Sequence, residues 1–171
     1  LHSYHSVKNQ PVNTSDYVIF VAEVASTCNE ALLVNYLIDN DLIPDDVAIQ
    51  VLTQSRQHII DKTMQALYGC KKAVVHLYNS TSTLQRDVVF DFGMQECKEL
   101  AIFGAQMIKE YIDKDESGTN WILEYSPESF TRTEVDYALE VCNAVIDIWN
   151  PTPDRKVIIN LPVTVELSSS H

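Results

Sequence analysis

Trp121-Ile122-Leu123-Glu124-Tyr125-Ser126-Pro127-Glu128 decides the fold. Trp121 to Tyr125 is a short, mainly apolar run between the polar stretch Lys114 to Asn120 and Ser126-Pro127. A run of that length and bounding reads as a strand buried on both faces. Behind it, Thr131 and Glu134 have the spacing of a capping box, in which each side chain satisfies an amide of the first helical turn. The predicted helix carries an apolar stripe of Val135, Ala138, Leu139, Cys142, Val145, Ile146 and Trp149, and Pro151 and Pro153 follow its end. Strand, loop, helix is the unit of alternating α/β proteins, whose chemistry collects in the loops after the strands. Ser126 and Glu128 fall in such a loop.

The unit recurs along the chain. Strands are predicted over Tyr17 to Val24, Val47 to Leu52, Ala73 to Tyr78 and Val157 to Leu161. Between them, Asn29 to Asn40 has helical spacing in Leu32, Leu33, Tyr36 and Leu37, and Pro44-Asp45-Asp46 reads as a turn. Ser55 to Tyr68 places Ile59, Ile60, Met64 and Leu67 on one face and stops at Gly69. Leu84 to Ile112 is helical in two pieces. Five apolar strands alternating with four helical blocks imply an α/β fold with a parallel sheet under helices. That sheet is either an open doubly wound sheet or part of a (β/α) barrel. Residues 1–16 are polar and patternless, an irregular arm ahead of one domain over 17–171. No GxGxxG or P-loop follows any strand, which counts against nucleotide binding.

The chain has 171 residues, 46% of them hydrophobic, enough for one sizeable core. Its formal charge is −12, from 24 acidic and 12 basic residues. No cluster of Lys and Arg offers a nucleic-acid or anionic-membrane surface. No run reaches transmembrane length and no secretory leader is present, so a cytoplasmic location is expected. Cys28, Cys70, Cys97 and Cys142 form no CxxC and read as reduced, buried thiols. The sequons at Asn13 and Asn79 read as chance.

Four residues stand out at strand ends. His76 can donate to a substrate oxygen or orient a carboxylate, or it can be a satisfied core histidine. Ser126 and Glu128 alternate, so both reach one pocket if the chain stays extended; otherwise they only form the turn before the helix. Thr164, bracketed with Asn160 around Leu161-Pro162, is a substrate ligand or a loop hydroxyl. Arg56 neutralises an anion or starts a helix. There is no His-x-His pair and no acidic cluster at a strand end, so no residue is assigned to a metal.

Several segments, taken in one register over roughly residues 30–167, resemble 2-isopropylmalate synthase. They are Ile43-Pro44-Asp45-Asp46-Val47 with Val51-Leu52-Thr53-Gln54-Ser55-Arg56, then Val75-His76-Leu77-Tyr78-Asn79-Ser80-Thr81-Ser82 with Leu84-Gln85-Arg86. Tyr125-Ser126-Pro127-Glu128-Ser129, Thr133-Glu134, Pro151-Thr152-Pro153-Asp154-Arg155 and Asn160-Leu161-Pro162 with Thr164-Val165-Glu166 complete the match. The resemblance implies a TIM-barrel catalytic domain that condenses acetyl-CoA with 2-oxoisovalerate using a divalent metal (Mg, Mn or Zn). On that basis His76 and Thr164 hold the oxo acid, Ser126 supports it, and Glu128 is the acid/base.

The chain also departs from that family. The Arg-Asp-Gly-Asn-Gln motif of the first barrel strand, whose Asp binds the metal, is missing, as is the His-x-His pair of the seventh. Glu23-Val24-Ala25 runs into Ser26-Thr27-Cys28 without the usual Phe-Pro. The expectation is a partial TIM barrel of about five strands, a fragment without metal ligands and inactive alone. Its two sheet edges imply self-association or a homo-oligomer. Two other readings stay open: a non-catalytic half-barrel module that pairs with a full-length synthase, and a metal-free open-sheet enzyme using His76 and Glu128.

Overall fold

Ala73-Val74-Val75 and Trp121-Ile122-Leu123 are β-branched and aromatic runs that fit a pleated, two-sided surface. Each is the start of a strand in the computed structural model, which describes residues 8–9, 11, 29, 32–34, 36–37, 39–44 and 46–164. The chain divides into two units, Leu1–Ile43 and Pro44–His171. In the first, the described positions from 29 to 39 are helical, and Asn40 bonds back to the Tyr36 carbonyl through its amide and its side chain. The strand expected over Tyr17 to Val24, Cys28, and the arm apart from residues 8–9 and 11 lie outside the described residues.

The second unit runs β1 (Ile49–Gln54), α1 (Gln57–Leu67), β2 (Lys72–Ser80), α2 (Met94–Asp113), β3 (Asn120–Glu128), α3 (Val135–Trp149) and β4 (Val157–Ile159). The strands are all parallel, in the order β1-β2-β3-β4. Successive helices touch each other as well as the strands beneath, α1 on α2 and α2 on α3, so they share one face of the sheet. A doubly wound sheet would put helices on both faces. Sequential strand order with one covered face is the barrel unit, and the α/β alternatives left by the sequence resolve to a partial TIM barrel. Four of the five expected strands are described.

Under the helices, Val75, Leu77, Leu123, Tyr125 and Thr53 are fully buried. The end of α3 is tied to β4: the Trp149 indole donates to the Lys156 carbonyl at 2.9 Å, and the Arg155 guanidinium lies 5.0 Å over its ring. Cys70, Cys97 and Cys142 are buried free thiols, as expected. Asn79 is 2% exposed within β2 and bonds the Cys97 carbonyl, so its sequon is closed to modification. Gly69 takes φ +85° one residue after Tyr68, the stop that the sequence placed there. Among the described residues no helix is long and apolar enough to cross a membrane.

Three local expectations need correction. Ser126 and Glu128 are not in a loop, because β3 pairs with β2 as far as Ser80 opposite Glu128. Pro127 is tolerated there for a geometric reason. The Tyr125 carbonyl bonds Asn160 on the β4 side and the Glu128 carbonyl bonds Thr81 on the β2 side. Odd residues therefore face β4, which has ended at Ile159, so the N–H that proline lacks has no strand to meet. Second, Thr131 and Glu134 make no capping box. Thr131 lies in a 3-10 turn, Phe130–Arg132, and Glu134 is the N-cap residue with no side-chain cap bond, its carboxylate drawn off to Arg86. Third, the inward face of α3 is Tyr137, Ala138, Val141, Cys142, Val145 and Trp149, while Val135 and Leu139 are exposed.

α2 meets the sheet at Gly104. A Cβ there would run into the Ser55 hydroxyl and come within 2.9 Å of a Leu77 methyl. Gly104→Ala raises helix propensity by about 1 kcal/mol, but overpacking costs about 1–3 kcal/mol. A net loss of stability is expected in urea unfolding; a more stable variant would show that the helix can lift off at this point.

Candidate active site

Parallel pairing places Leu52, His76, Glu124 and Ile158 in one row across the sheet, with Tyr78 opposite Ser126 one step later. Alternation then sends Gln50, His76, Glu124, Ser126 and Glu128 to the face opposite the helices. On that face His76 Nε2 and Ser126 Oγ lie 2.7 Å apart. Asn160, just past β4, donates its side-chain amide to Ser126 Oγ at 2.8 Å. On the other side of the ring, His76 Nδ1 lies 3.2 Å from the Gln50 amide and 3.4 Å from Glu124 Oε1. One polar chain thus runs from Gln50 near the start of β1, through His76 at the middle of β2, to Ser126 toward the C-terminal end of β3 and Asn160 just past β4. Its Ser126 and Asn160 end lies on the side where barrel enzymes do their chemistry.

Glu128, two residues beyond Ser126, accepts the Ser80 hydroxyl on Oε2 at 2.6 Å. Thr164 takes the Ser129 N–H on its hydroxyl at 3.1 Å. Ser129 holds φ +60°, which turns the chain out of β3. The four residues selected from the sequence therefore fall into a directly bonded pair, His76 with Ser126, and two groups beside it. No hydrogen bond among the described residues joins Glu128 or Thr164 to His76. Arg56 is the exposed N-cap residue of α1.

Glu124 and Gln50 are site residues that the sequence reading passed over. Their signal was present: Glu124, Ser126 and Glu128 are polar residues at alternate positions leaving an apolar strand. Ser80 and Arg86 were quoted only as part of a motif. Arg86, 4% exposed, pairs with the Glu134 carboxylate through both terminal nitrogens and donates to the Thr81 carbonyl at 2.9 Å. This contact holds the Glu134 carboxyl below its ordinary range and the guanidinium above its own. Its plane also lies 4.8 Å over the Tyr137 ring. A cavity of about 150 Å³ opens among Gln54, Ser80, Arg86 and Cys97. The Cys97 thiol is pushed up by burial, which keeps it protonated.

Burial lowers the His76 pKa from the ordinary 6.5, and the nearby Glu124 carboxylate offsets part of that. The unfolded chain binds a proton near 6.5 that the folded ring refuses until lower pH. Stability is full above 6.5, falls as pH drops toward the folded value, and levels off below it. Thermal melts of wild type and His76→Gln between pH 8 and pH 5 should show a shallower fall for the variant, these bounds lying about 1.5 units either side of the ordinary histidine value. Parallel curves would mean that His76 is protonated alike in both states.

Among the described residues no group of three His, Cys, Asp or Glu side chains gathers. His76, Glu124 and Glu128 each meet a protein partner: Ser126, the His76 ring and Ser80 respectively.

The HMGL-like family profile matches residues 18–171. The chain is 56% identical to 2-isopropylmalate synthase of Desulfitobacterium hafniense (strain Y51) over 147 residues, 86% of this chain and 26% of that protein. It is 62% identical to the 2-isopropylmalate synthase of Acetoanaerobium sticklandii over 135 residues, 79% of the chain and 24% of the relative. The enzyme of that name from Clostridium acetobutylicum is 58% identical over 136 residues, 79% and 24% respectively. The chain spans about a quarter of the length of these relatives.

Proposed function

This chain belongs to the HMGL-like family, and from that premise we propose that it forms the oxo-acid side of a 2-isopropylmalate synthase site. The reaction on this reading condenses acetyl-CoA with 2-oxoisovalerate, in leucine biosynthesis and in the cytoplasm. A proton leaves the acetyl methyl group, the new C–C bond forms at the ketone carbon, its oxygen takes up a proton, and water cleaves the thioester to a carboxylate and CoA. The observation that carries it is the contact of His76 with Ser126 at 2.7 Å, on the sheet face that alternation also gives to Glu128 at the end of β3. His76 and Thr164 surround the oxo acid, Ser126 supports it, and Glu128, with one oxygen held by Ser80, moves the proton.

A divalent metal belongs to the same reading and would polarise the ketone. These 171 residues contain neither an Arg-Asp-Gly-Asn-Gln stretch nor a His-x-His pair. On their own they are expected to bind 2-oxoisovalerate without turnover and to self-associate.

The test is a chimera in which this chain replaces the matching segment of the Desulfitobacterium hafniense relative, assayed for CoA release. Turnover is expected, with His76→Ala lowering kcat/KM about 10–100-fold, the value of one bond to a charged ligand. A folded but inactive chimera, or a His76→Ala chimera as active as its parent, would overturn the proposal.

A further inference from the structure

The proton on the His76 ring can be placed from the atoms around it. Asn160 presents an amide N–H to Ser126 Oγ at 2.8 Å and so occupies a lone pair of that oxygen. What remains for His76 Nε2, 2.7 Å away, is the Ser126 O–H or a second lone pair. Nδ1 decides between them. It faces Glu124 Oε1 at 3.4 Å, with both side chains only 13% and 11% exposed. A carboxylate accepts and cannot donate, so it favours a proton on Nδ1. Gln50 Nε2 lies 3.2 Å from Nδ1 and as placed would donate to a bare nitrogen, but a half-turn of the amide presents its oxygen instead, so Gln50 fits either tautomer. The contact is electrostatic at this distance: the carboxylate attracts a proton on Nδ1 and would repel the lone pair of a bare Nδ1.

We infer that Glu124 is a positioning residue: it holds His76 in the Nδ1–H tautomer, leaving Nε2 as the acceptor of the Ser126 hydroxyl proton. Glu124 and His76 are register partners on β3 and β2, so the sheet itself sets this contact. The order carboxylate, imidazole, hydroxyl is also that of a nucleophilic serine. Here the hydroxyl belongs to a strand residue 3% exposed, and Asn160 already bonds its oxygen, so the row serves proton placement. Under the proposed function, on which this part of the inference rests, His76 becomes a second proton acceptor beside Glu128. The attacking water gives a proton to Ser126 Oγ as the Ser126 hydroxyl proton passes to His76 Nε2, and the imidazolium so formed faces the Glu124 carboxylate.

Ring nitrogen spectra of the full chain, labelled with 15N-histidine and recorded at neutral pH without substrate, read the tautomer directly. Wild type should show a protonated Nδ1 and a bare Nε2. Glu124→Gln should lose that signature, moving to Nε2–H or to a mixture, while Gln50→Leu should keep it. An Nε2–H ring in the wild type, or an unchanged tautomer in Glu124→Gln, would overturn the inference. If Glu124→Gln does not fold, the wild-type and Gln50→Leu spectra still decide, because loss of Nδ1–H in Gln50→Leu would assign the ring to Gln50. None of these spectra depends on oxo-acid binding, so failure here and failure of the proposed reaction are separable.

Discussion

Glu128→Gln in the chimera is expected to lower kcat about 10²–10⁴-fold with little change in KM for the oxo acid, the range for loss of a positioned acid or base. Glutamine keeps the length of the side chain and an oxygen for the Ser80 hydroxyl, so the end of β3 should stay in place. What it loses is the ability to take a proton. Oε1 makes no hydrogen bond among the described residues, which leaves one oxygen of the carboxylate for the reacting group. Ser80→Ala should be much milder, because it frees the carboxylate without removing it. KM separates the roles: both variants lower kcat/KM, but His76→Ala, which also removes an oxo-acid contact, should raise KM, whereas Glu128→Gln should act through kcat alone. A Glu128→Gln chimera within tenfold of its parent would remove Glu128 from the chemistry.

The largest structural loss is expected at Glu134. Glu134→Ala leaves the Arg86 guanidinium, 4% exposed, without its carboxylate. Stranding a buried charge costs about 3–5 kcal/mol. The Glu134 side chain is 42% exposed, so water can reach the vacated side and a loss on the order of 3 kcal/mol is expected. Arg86→Met removes the charge while keeping much of the volume, and its cost should be smaller, on the order of 1–2 kcal/mol for the lost bond to the Thr81 carbonyl. Urea unfolding of the two variants gives the order. If Arg86→Met were the more damaging, the guanidinium would matter for its packing on Tyr137 rather than for its charge. The pair also bears on the site. Thr81 donates its N–H to the Glu128 carbonyl, and its hydroxyl meets that of Thr133 at 2.8 Å. Loosening Arg86 should therefore loosen the segment that carries Glu128.

Much of this arrangement was legible from local pattern. Strand residues such as Val74-Val75 and helix faces such as Ile60, Met64 and Leu67 declare themselves because periodicity is a property of neighbouring residues. The misreadings arose where a local signal met a distant partner. Ser126-Pro127 looks like a turn, yet the β2 strand beside it extends pairing to Glu128. Thr131 and Glu134 have the right spacing for a cap, yet a buried arginine 48 residues away offers Glu134 a stronger partner than a backbone amide. Val135 and Leu139 extend the apolar stripe, but only packing against the sheet and α2 decides which side of α3 turns inward.

The candidate site divides in the same way. His76, Ser126, Glu128 and Thr164 were picked out by residue type, strand-end position and family resemblance, all of them properties of the linear chain. That His76 and Ser126 bond each other across 50 residues, and that Glu124 and Gln50 face the other side of the ring, depends on strand register. Register is set by how helices and strands pack over the whole unit, since a shift by one residue would send every one of these side chains to the other face. The sequence by itself determined the elements and the residues with chemical capacity; only the tertiary structure decided which of them meet, because that is fixed by long-range packing rather than by local periodicity.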